Sequence, residues 1–234
     1  MIVSDIEVEI VRKNNKNMHL YVLPPDGNVR VSAPIAISEE AIRIFVVTKI
    51  GWIKKQRSKF QGQPRQTERQ YVSGESHYLW GQRYLLMVEQ TTKANAINIK
   101  AGRIILSVKA DSTTAQREYI VNEWYRAHLK QRVPALIALW QNRIGIHESQ
   151  WQVKNMHTKW GTCNPDSKRI WLNLQLAKKP VECLEYVIVH ELCHLLQKDH
   201  SSEFVLLMDR HLPNWKHTQK LLNEFIMDKY DGEL

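Results

Sequence analysis

Apolar and charged residues alternate over Ile6 to Val11 and again over Met18 to Leu23, the period-two pattern of strands with one buried face. Val29 to Ser32 repeats it after the turn residues Pro24-Pro25-Asp26-Gly27, and the three segments are expected to form antiparallel strands joined by short turns. At Ser38 the period changes. Ser38 can cap a helix with Glu39 and Glu40 in its first turn, and the apolar positions Ile42, Phe45, Val46, Ile50, Trp52 and Ile53 carry that helix to a basic end near Phe60. Gln61 to Gln70, with Gly62 and Pro64, is polar and turn-rich and is the best internal linker. Strand signals return at Tyr78 to Trp80, Arg83 to Glu89, Ala96 to Lys100 and Arg103 to Val108, the last two paired across Ala101-Gly102.

Thr113 to Ile144 is one long helical pattern through Ile120, Trp124, Leu129, Val133, Ile137 and Trp140, with Pro134 expected to kink or break it. Trp151 to Val153 and Ile170 to Leu174 read as strands flanking a polar turn that contains Asn164-Pro165-Asp166. Helices at Val181 to Gln197, Ser202 to His211 and Trp215 to Asp228 complete the chain, and no internal repeat or low-complexity segment is visible. The pattern predicts an α+β fold: a β-rich region with one helix over residues 1–110, then a mixed helical region over 111–234 whose short sheet flanks the helix starting at Val181. The two halves can pack as one unit, because the polar linker falls inside the first of them.

With 234 residues, 43% hydrophobic and 24% charged, the chain has ordinary globular composition and enough core to need no staples. Cys163, Cys183 and Cys193 are odd in number and lack Cys-x-x-Cys spacing, which argues against a disulfide scaffold. No basic start precedes an apolar run and no uninterrupted apolar stretch could span a bilayer, so a soluble, cytoplasmic protein without a membrane partner is expected. The net charge of +9 is uneven: residues 1–110 hold 17 Lys and Arg against 9 Asp and Glu, residues 111–234 hold 16 against 15. Lys49, Lys54, Lys55, Arg57, Lys59, Arg65 and Arg69, interleaved with Trp52 and Phe60, are the densest part. Such a run is more often the solvated face of a helix, but it can also bring the chain to a polyanion, DNA being the leading candidate.

The chemistry gathers at His190-Glu191-Leu192-Cys193-His194. On a helix, residues four apart are offset by about 40° and about 6 Å, so His190 and His194 can aim at one point. Glu191, beside the pair, is placed to take a proton from metal-activated water. Leu184, Val187, Ile188, Leu192, Leu195 and Leu196 make one apolar stripe on the same helix, and histidines beside such a stripe are costly to bury unpaired. A hydrolytic Zn²⁺ site commonly has three protein ligands and an open position. His200 is the expected third; to bring it back, the helix must stop near Gln197 to Asp199. Metzincins share these His spacings but have glycine where Gln197 stands, which leaves this turn less assured. Glu203 is the rival third ligand, while His211 and His217 read as surface residues. Lys159-Trp160-Gly161-Thr162-Cys163 can form a wall of a substrate cleft, although by itself the segment favours a tryptophan packed in the core with a close turn at Gly161. Three histidines need no thiolate, so Cys163 is left out of the site.

His190 to His194 with His200, Ser201 and Phe204 after it, Lys159 to Cys163 before it, and Ala33-Pro34 and Trp52-Ile53 further upstream together resemble the YgjP-type metallopeptidase family. Thr162 stands where that family's Trp-Gly-Ser-Cys pattern has serine, and keeps the hydroxyl. The resemblance spans nearly the whole chain. It implies a minimal zincin-like catalytic region behind a β-rich part, with His190, His194 and His200 as zinc ligands and Glu191 as catalytic base, acting on protein or peptide substrates. The design is also similar, remotely, to SprT-type proteases, which act on proteins bound or crosslinked to DNA. The reading from a different class is a non-catalytic zinc-stabilised module that binds nucleic acid or protein; the presence of an unliganded Glu191 argues against it.

Overall fold

The computed structural model describes residues 1–23, 27–61, 69–146, 149–156 and 159–224, with residues 59–61 described by backbone alone. Residues 1–61 and 69–224 belong to two different compact units. Among the described residues there are six helices and three small sheets, an α+β fold with a β-rich start. None of those helices is long and apolar enough to cross a membrane.

In the first unit, β1 (Ile2–Val3), β2 (Ile6–Lys13), β3 (His19–Leu23) and β4 (Asn28–Pro34) form a sheet in the order β1-β2-β4-β3. The expectation of purely antiparallel pairing does not hold. β3 pairs antiparallel with β4, but β2 pairs parallel with β4. Alternation tells which face of a strand is buried; it does not tell which neighbour completes its ladder. Val8, Val29 and Val31 point to one face, where they meet Ile42, Val46 and Ile53 from the helical segment. That segment starts as expected, with the Ser38 hydroxyl accepting from the Ala41 N–H at 3.2 Å, but it is two helices rather than one: α1 (Glu39–Thr48) and α2 (Ile50–Gln61). They part at Lys49, whose φ of −109° and N–H bond to the Val46 carbonyl close the first helix. Trp52 is 44% exposed and so is not part of this core. The turn residues Pro24 to Asp26, and most of the Gln61 to Gln70 linker, lie outside the described residues.

The second unit opens with β5 (Ser76–Leu79), β6 (Gln82–Gln90), β7 (Ala96–Lys100) and β8 (Arg103–Val108), in the order β5-β6-β8-β7. β7 and β8 are the expected hairpin, turning at Ala101 and Gly102 with φ of 49° and 72°. The strand order and directions of the first sheet recur. β2, β3, β4 and α1 begin at residues 6, 19, 28 and 39; β6, β7, β8 and the helix after them begin at 82, 96, 103 and 114. The topology is thus repeated at a nearly constant offset, although no repeat is visible in the residues.

That following helix, α3 (Thr114–Ile144), is capped by a reciprocal Thr113–Gln116 pair and ended by Gly145 at φ 80°. Pro134 sits inside it without breaking it. Val121, Tyr125, Leu129, Val133, Ile137 and Trp140 form its buried face, and this packing outweighs the missing N–H. Leu79, Leu86, Ile104, Leu106 and Val108 share a single core with α3 and with the elements after it. Residues 76–108 accordingly share a compact unit with 111–224. A third sheet, β10-β11-β9, comprises β9 (Gln150–Lys154), β10 (Gly161–Asn164) and β11 (Arg169–Asn173); β11 is parallel to β9 and antiparallel to β10. A 3-10 turn over Leu174–Lys178 then leads into α4 (Val181–Cys193), followed by α5 (Ser202–His211) and α6 (Trp215–Glu224).

Candidate metal centre

α4 buries Leu184, Ile188 and Leu192 completely and Val187 almost so. It ends at Cys193, four residues before the expected Gln197. Leu196, counted in the apolar stripe, therefore lies beyond the helix and is 52% exposed. The stop has a local cause. His194 Nδ1 lies 3.1 Å from the Gln197 carbonyl, which can only accept, so Nδ1 carries the proton. In neutral His194 this leaves the Nε2 lone pair for the cluster.

The turn returns His200 to the end of α4. His194 Nε2 and His200 Nε2 lie 3.2 and 3.1 Å from His190 Nε2. Tetrahedral coordination at Zn–N of about 2.0–2.1 Å would place nitrogens about 3.3–3.4 Å apart, close to these two separations, and all three donors lie within 4.8 Å of one another. A proton on His190 Nε2 can be given to one neighbour at a time, whereas a single divalent cation satisfies three converging lone pairs. The donor set fits such an ion. His190 Nδ1 is buried without a hydrogen-bond partner. Burial first, and then His194 and His200 beside it, push His190 down to about 3, and burial also lowers His194, so both rings stay neutral, the form that ligates. Phe204 of α5 braces the group: its ring is stacked 4.7 Å from His194 and lies 5.0 and 4.8 Å from His190 and His200.

Glu191 is buried, and burial raises its carboxyl to about 8 against the opposing pull of Lys159. It faces β10. A Cβ on Gly161 would lie 2.6 Å from Glu191 Oε1 and 2.7 Å from Val187 Cγ1, so only glycine lets the strand come this close. Asn173, fully buried at the end of β11, donates to the carbonyls of Met156 and Lys159 at 2.8 and 2.7 Å, while its backbone N–H bonds the Trp160 carbonyl. It anchors the chain leading into β10. Together these elements enclose a cavity of about 530 Å³ that includes Trp160, Tyr186, Glu191 and the three histidines. Trp160 is half-buried in its wall rather than packed in the core.

The histidines expected at the site are brought together, with Glu191 in the same cavity. The rivals are not. Glu203 is exposed at the start of α5, where the Ser201 hydroxyl lowers its carboxyl, and it is outside the cluster along with His211 and His217. Cys163 lines the cavity, but burial and then the Glu191 charge push its thiol up to about 12, so it stays protonated. Sequence reasoning missed Tyr186 and Asn173. Tyr186 had a signal, standing four residues before His190 on the same helix face; its ring lies 5.7 Å from His190 and stacks on Trp215. Asn173 had none, since its partners come from the far side of a turn.

Convergent imidazoles on a helix end, a buried carboxyl beside them and an open cavity mark a metal-dependent hydrolase. The description YgjP-like, metallopeptidase domain, belongs to a family whose model matches residues 16–225, and the chain is a member of that family and a metal-dependent protease. No curated protein matches it. Among solved structures, the metallopeptidase zymogen abylysin of Pyrococcus abyssi is similar at 19% identity and a TM-score of 0.37, over 38% of this chain and 90% of that one. The metallopeptidase zymogen jannalysin of Methanocaldococcus jannaschii gives 20% and 0.36, over 40% and 97%.

Proposed function

We propose that the chain is a zinc peptidase in which His190, His194 and His200 hold Zn²⁺ and Glu191 is the general base. The observation that carries this is the convergence of three imidazoles within one cavity with the buried Glu191 carboxyl. Three nitrogen donors suit zinc better than the oxygen-seeking Mg²⁺ or Ca²⁺. When bound, the ion supplies Lewis-acid polarisation of a carbonyl and a lowered pKa for the attacking water. With the ion's positive charge beside it favouring the ionised carboxyl, Glu191 would take that water's proton and pass it to the leaving amine. The Gln197 carbonyl fixes the tautomer of His194, and Phe204 fixes the ring planes. β10 is at the edge of its sheet and lines the cavity, so an extended peptide can pair with it as a further strand. A purely structural zinc would commonly be closed by a fourth ligand; among the described residues the cluster holds three.

Metal analysis of protein purified without added zinc, beside His194→Ala, tests the ligand set. About one equivalent of zinc in wild type and a large loss in the variant is expected; equal zinc in both would overturn it.

One observation favours a further role for the first unit. Trp52 is 44% exposed on α2, with exposed Lys55 three residues on along the same side and exposed Lys54 elsewhere on the helix, where it lies 3.9 Å from Asp5; the exposed ring and cations suit polyanion binding. Arg57 contributes less, because its Nε bonds the Gly27 carbonyl at 2.8 Å; the side chains of Lys59 and Phe60 lie outside the described residues. DNA binding should weaken steeply between about 50 and 200 mM salt and fall in a Lys54→Gln, Lys55→Gln variant; no binding at the low end returns this face to solvent. The three free cysteines support a reducing, cytoplasmic setting.

A further inference from the structure

The cleft is charged more selectively than the chain around it. Residues 111–234 hold 16 Lys and Arg against 15 Asp and Glu, close to neutral. Yet the described residues lining the cavity include two lysines, Lys159 and Lys198, and one carboxylate, Glu191. The lysines sit at opposite ends of β10. Lys159 lies two residues before the strand, and Lys198 reaches Asp166, two residues beyond it, at 3.5 Å. Glu191 meets the strand at Gly161, between them. Neither cation is consumed by the fold: Lys159 makes no ion pair among the described residues, and the Lys198–Asp166 pair has side chains 68% and 86% exposed, too wet to hold.

We propose that the cleft selects extended peptide segments bearing acidic side chains on both sides of the bond to be cut, with Lys159 and Lys198 as the specificity-determining residues. A strand advances about 3.3 Å per residue, so a peptide paired along the four residues of β10 covers about 13 Å and carries its flanking side chains towards Lys159 at one end and Lys198 at the other. A basic segment would meet two like charges and a neutral one would leave both lysines to water. This rests on the peptidase reading of the site, and the test separates the two.

Fluorescein-labelled octapeptides identical except for flanking Glu, Gln or Lys are titrated onto zinc-loaded Glu191→Gln protein by anisotropy. The Glu peptide should bind about tenfold more tightly than the Gln peptide at low salt, and the Lys peptide more weakly than either. The difference should shrink to about twofold near 0.5 M salt, where the Debye length is only a few ångströms. Adding Lys159→Glu and Lys198→Glu should invert the order. The Gln peptide is the internal reference, so any effect of Lys159 on Glu191 cancels in the ratio. Equal binding of the three peptides, or an acidic preference unchanged by the double reversal, overturns the proposal. If the wild type cleaves none of the peptides while the charge order persists and inverts, the peptidase reading fails and the acid-selective cleft stands.

Discussion

The two four-stranded sheets have the same strand order and directions, and they do different work. The first closes a small core with α1 and α2 inside its own unit. The second shares one core with α3, α4 and the segment between β11 and α4. Its β5–β6 turn carries the connection: the Trp80 N–H bonds the Ala177 carbonyl at 2.8 Å, the Gly81 N–H bonds Lys178 at 3.4 Å, and a Cβ on Gly81 would meet Pro180 at 3.0 Å. Pro180 is the N-cap of α4, so this turn fixes where the metal helix begins. The corresponding turn of the first sheet, at Ser4 and Asp5, is exposed. One topology therefore serves as a self-contained module in one place and as a buttress for the site in the other.

Truncation breaks this comparison most severely. A fragment of residues 69–234 should fold, give a cooperative melt and retain zinc. A fragment of residues 111–234 loses Leu79, Leu86, Ile104, Leu106 and Val108 from the shared core, several large apolar side chains each worth about 1.5–3 kcal/mol of burial, and should show no cooperative unfolding by circular dichroism. A folded, zinc-binding 111–234 fragment would mean that the second sheet is as dispensable as the first.

Glycine substitutions sharpen the contrast at single positions. Gly161→Ala forces a methyl against Glu191 and Val187 and should cost about 1–3 kcal/mol, the usual penalty of overpacking, with turnover reduced at least tenfold as Glu191 is displaced. Gly51→Ala, inside α2 with nothing within 4 Å of the new methyl, should add about 0.5–1 kcal/mol and leave turnover alone. Denaturant titration and steady-state assays of both variants check this pair.

A smaller effect separates the units by pH. His77 on β5 is buried, and burial, then the charge of Arg69, push it down to about 4 from 6.5, with Glu75 at 3.3 Å opposing. Between those values the unfolded chain binds a proton that the folded chain refuses, so stability is full above pH 6.5 and falls as pH drops toward 4. Histidine is absent from the buried residues described in the first unit. His190 and Glu191 of the same unit also contribute, with opposite signs, so the readout is the difference between proteins: on going from pH 6.5 to 5 the melting temperature of the 69–234 fragment should fall further than that of its His77→Gln variant; identical slopes would assign the pH dependence to other groups.

Much of the site could be read in the residues because its geometry is local. His190, Glu191 and His194 are tied by helical spacing, and Ser38, Thr113 and Ala101-Gly102 announce caps and a turn through their own chemistry. What escaped was set by tertiary partners. Nothing in β2 says that β4 will lie beside it in parallel, and the break at Lys49 has neither glycine nor proline at the position itself. β10 carries no alternation, since Gly161 is there to let Glu191 approach. The end of α4 was placed late because Leu195 and Leu196 continue the apolar rhythm; the His194–Gln197 bond that stops the helix is visible only in three dimensions. The repeated topology left no residue pattern because each sheet tuned its side chains to a different neighbour.

The proposed chemistry depends most on Glu191 acting on water beside a metal held by the histidines alone. Zinc content and peptide turnover should be measured together for wild type and Glu191→Gln, using a peptide that the wild type cleaves. The expected result is one equivalent of zinc in both proteins and a loss of turnover by at least a hundredfold in the variant, the scale of positioned general-base catalysis. Wild-type turnover by Glu191→Gln with its zinc intact would contradict it.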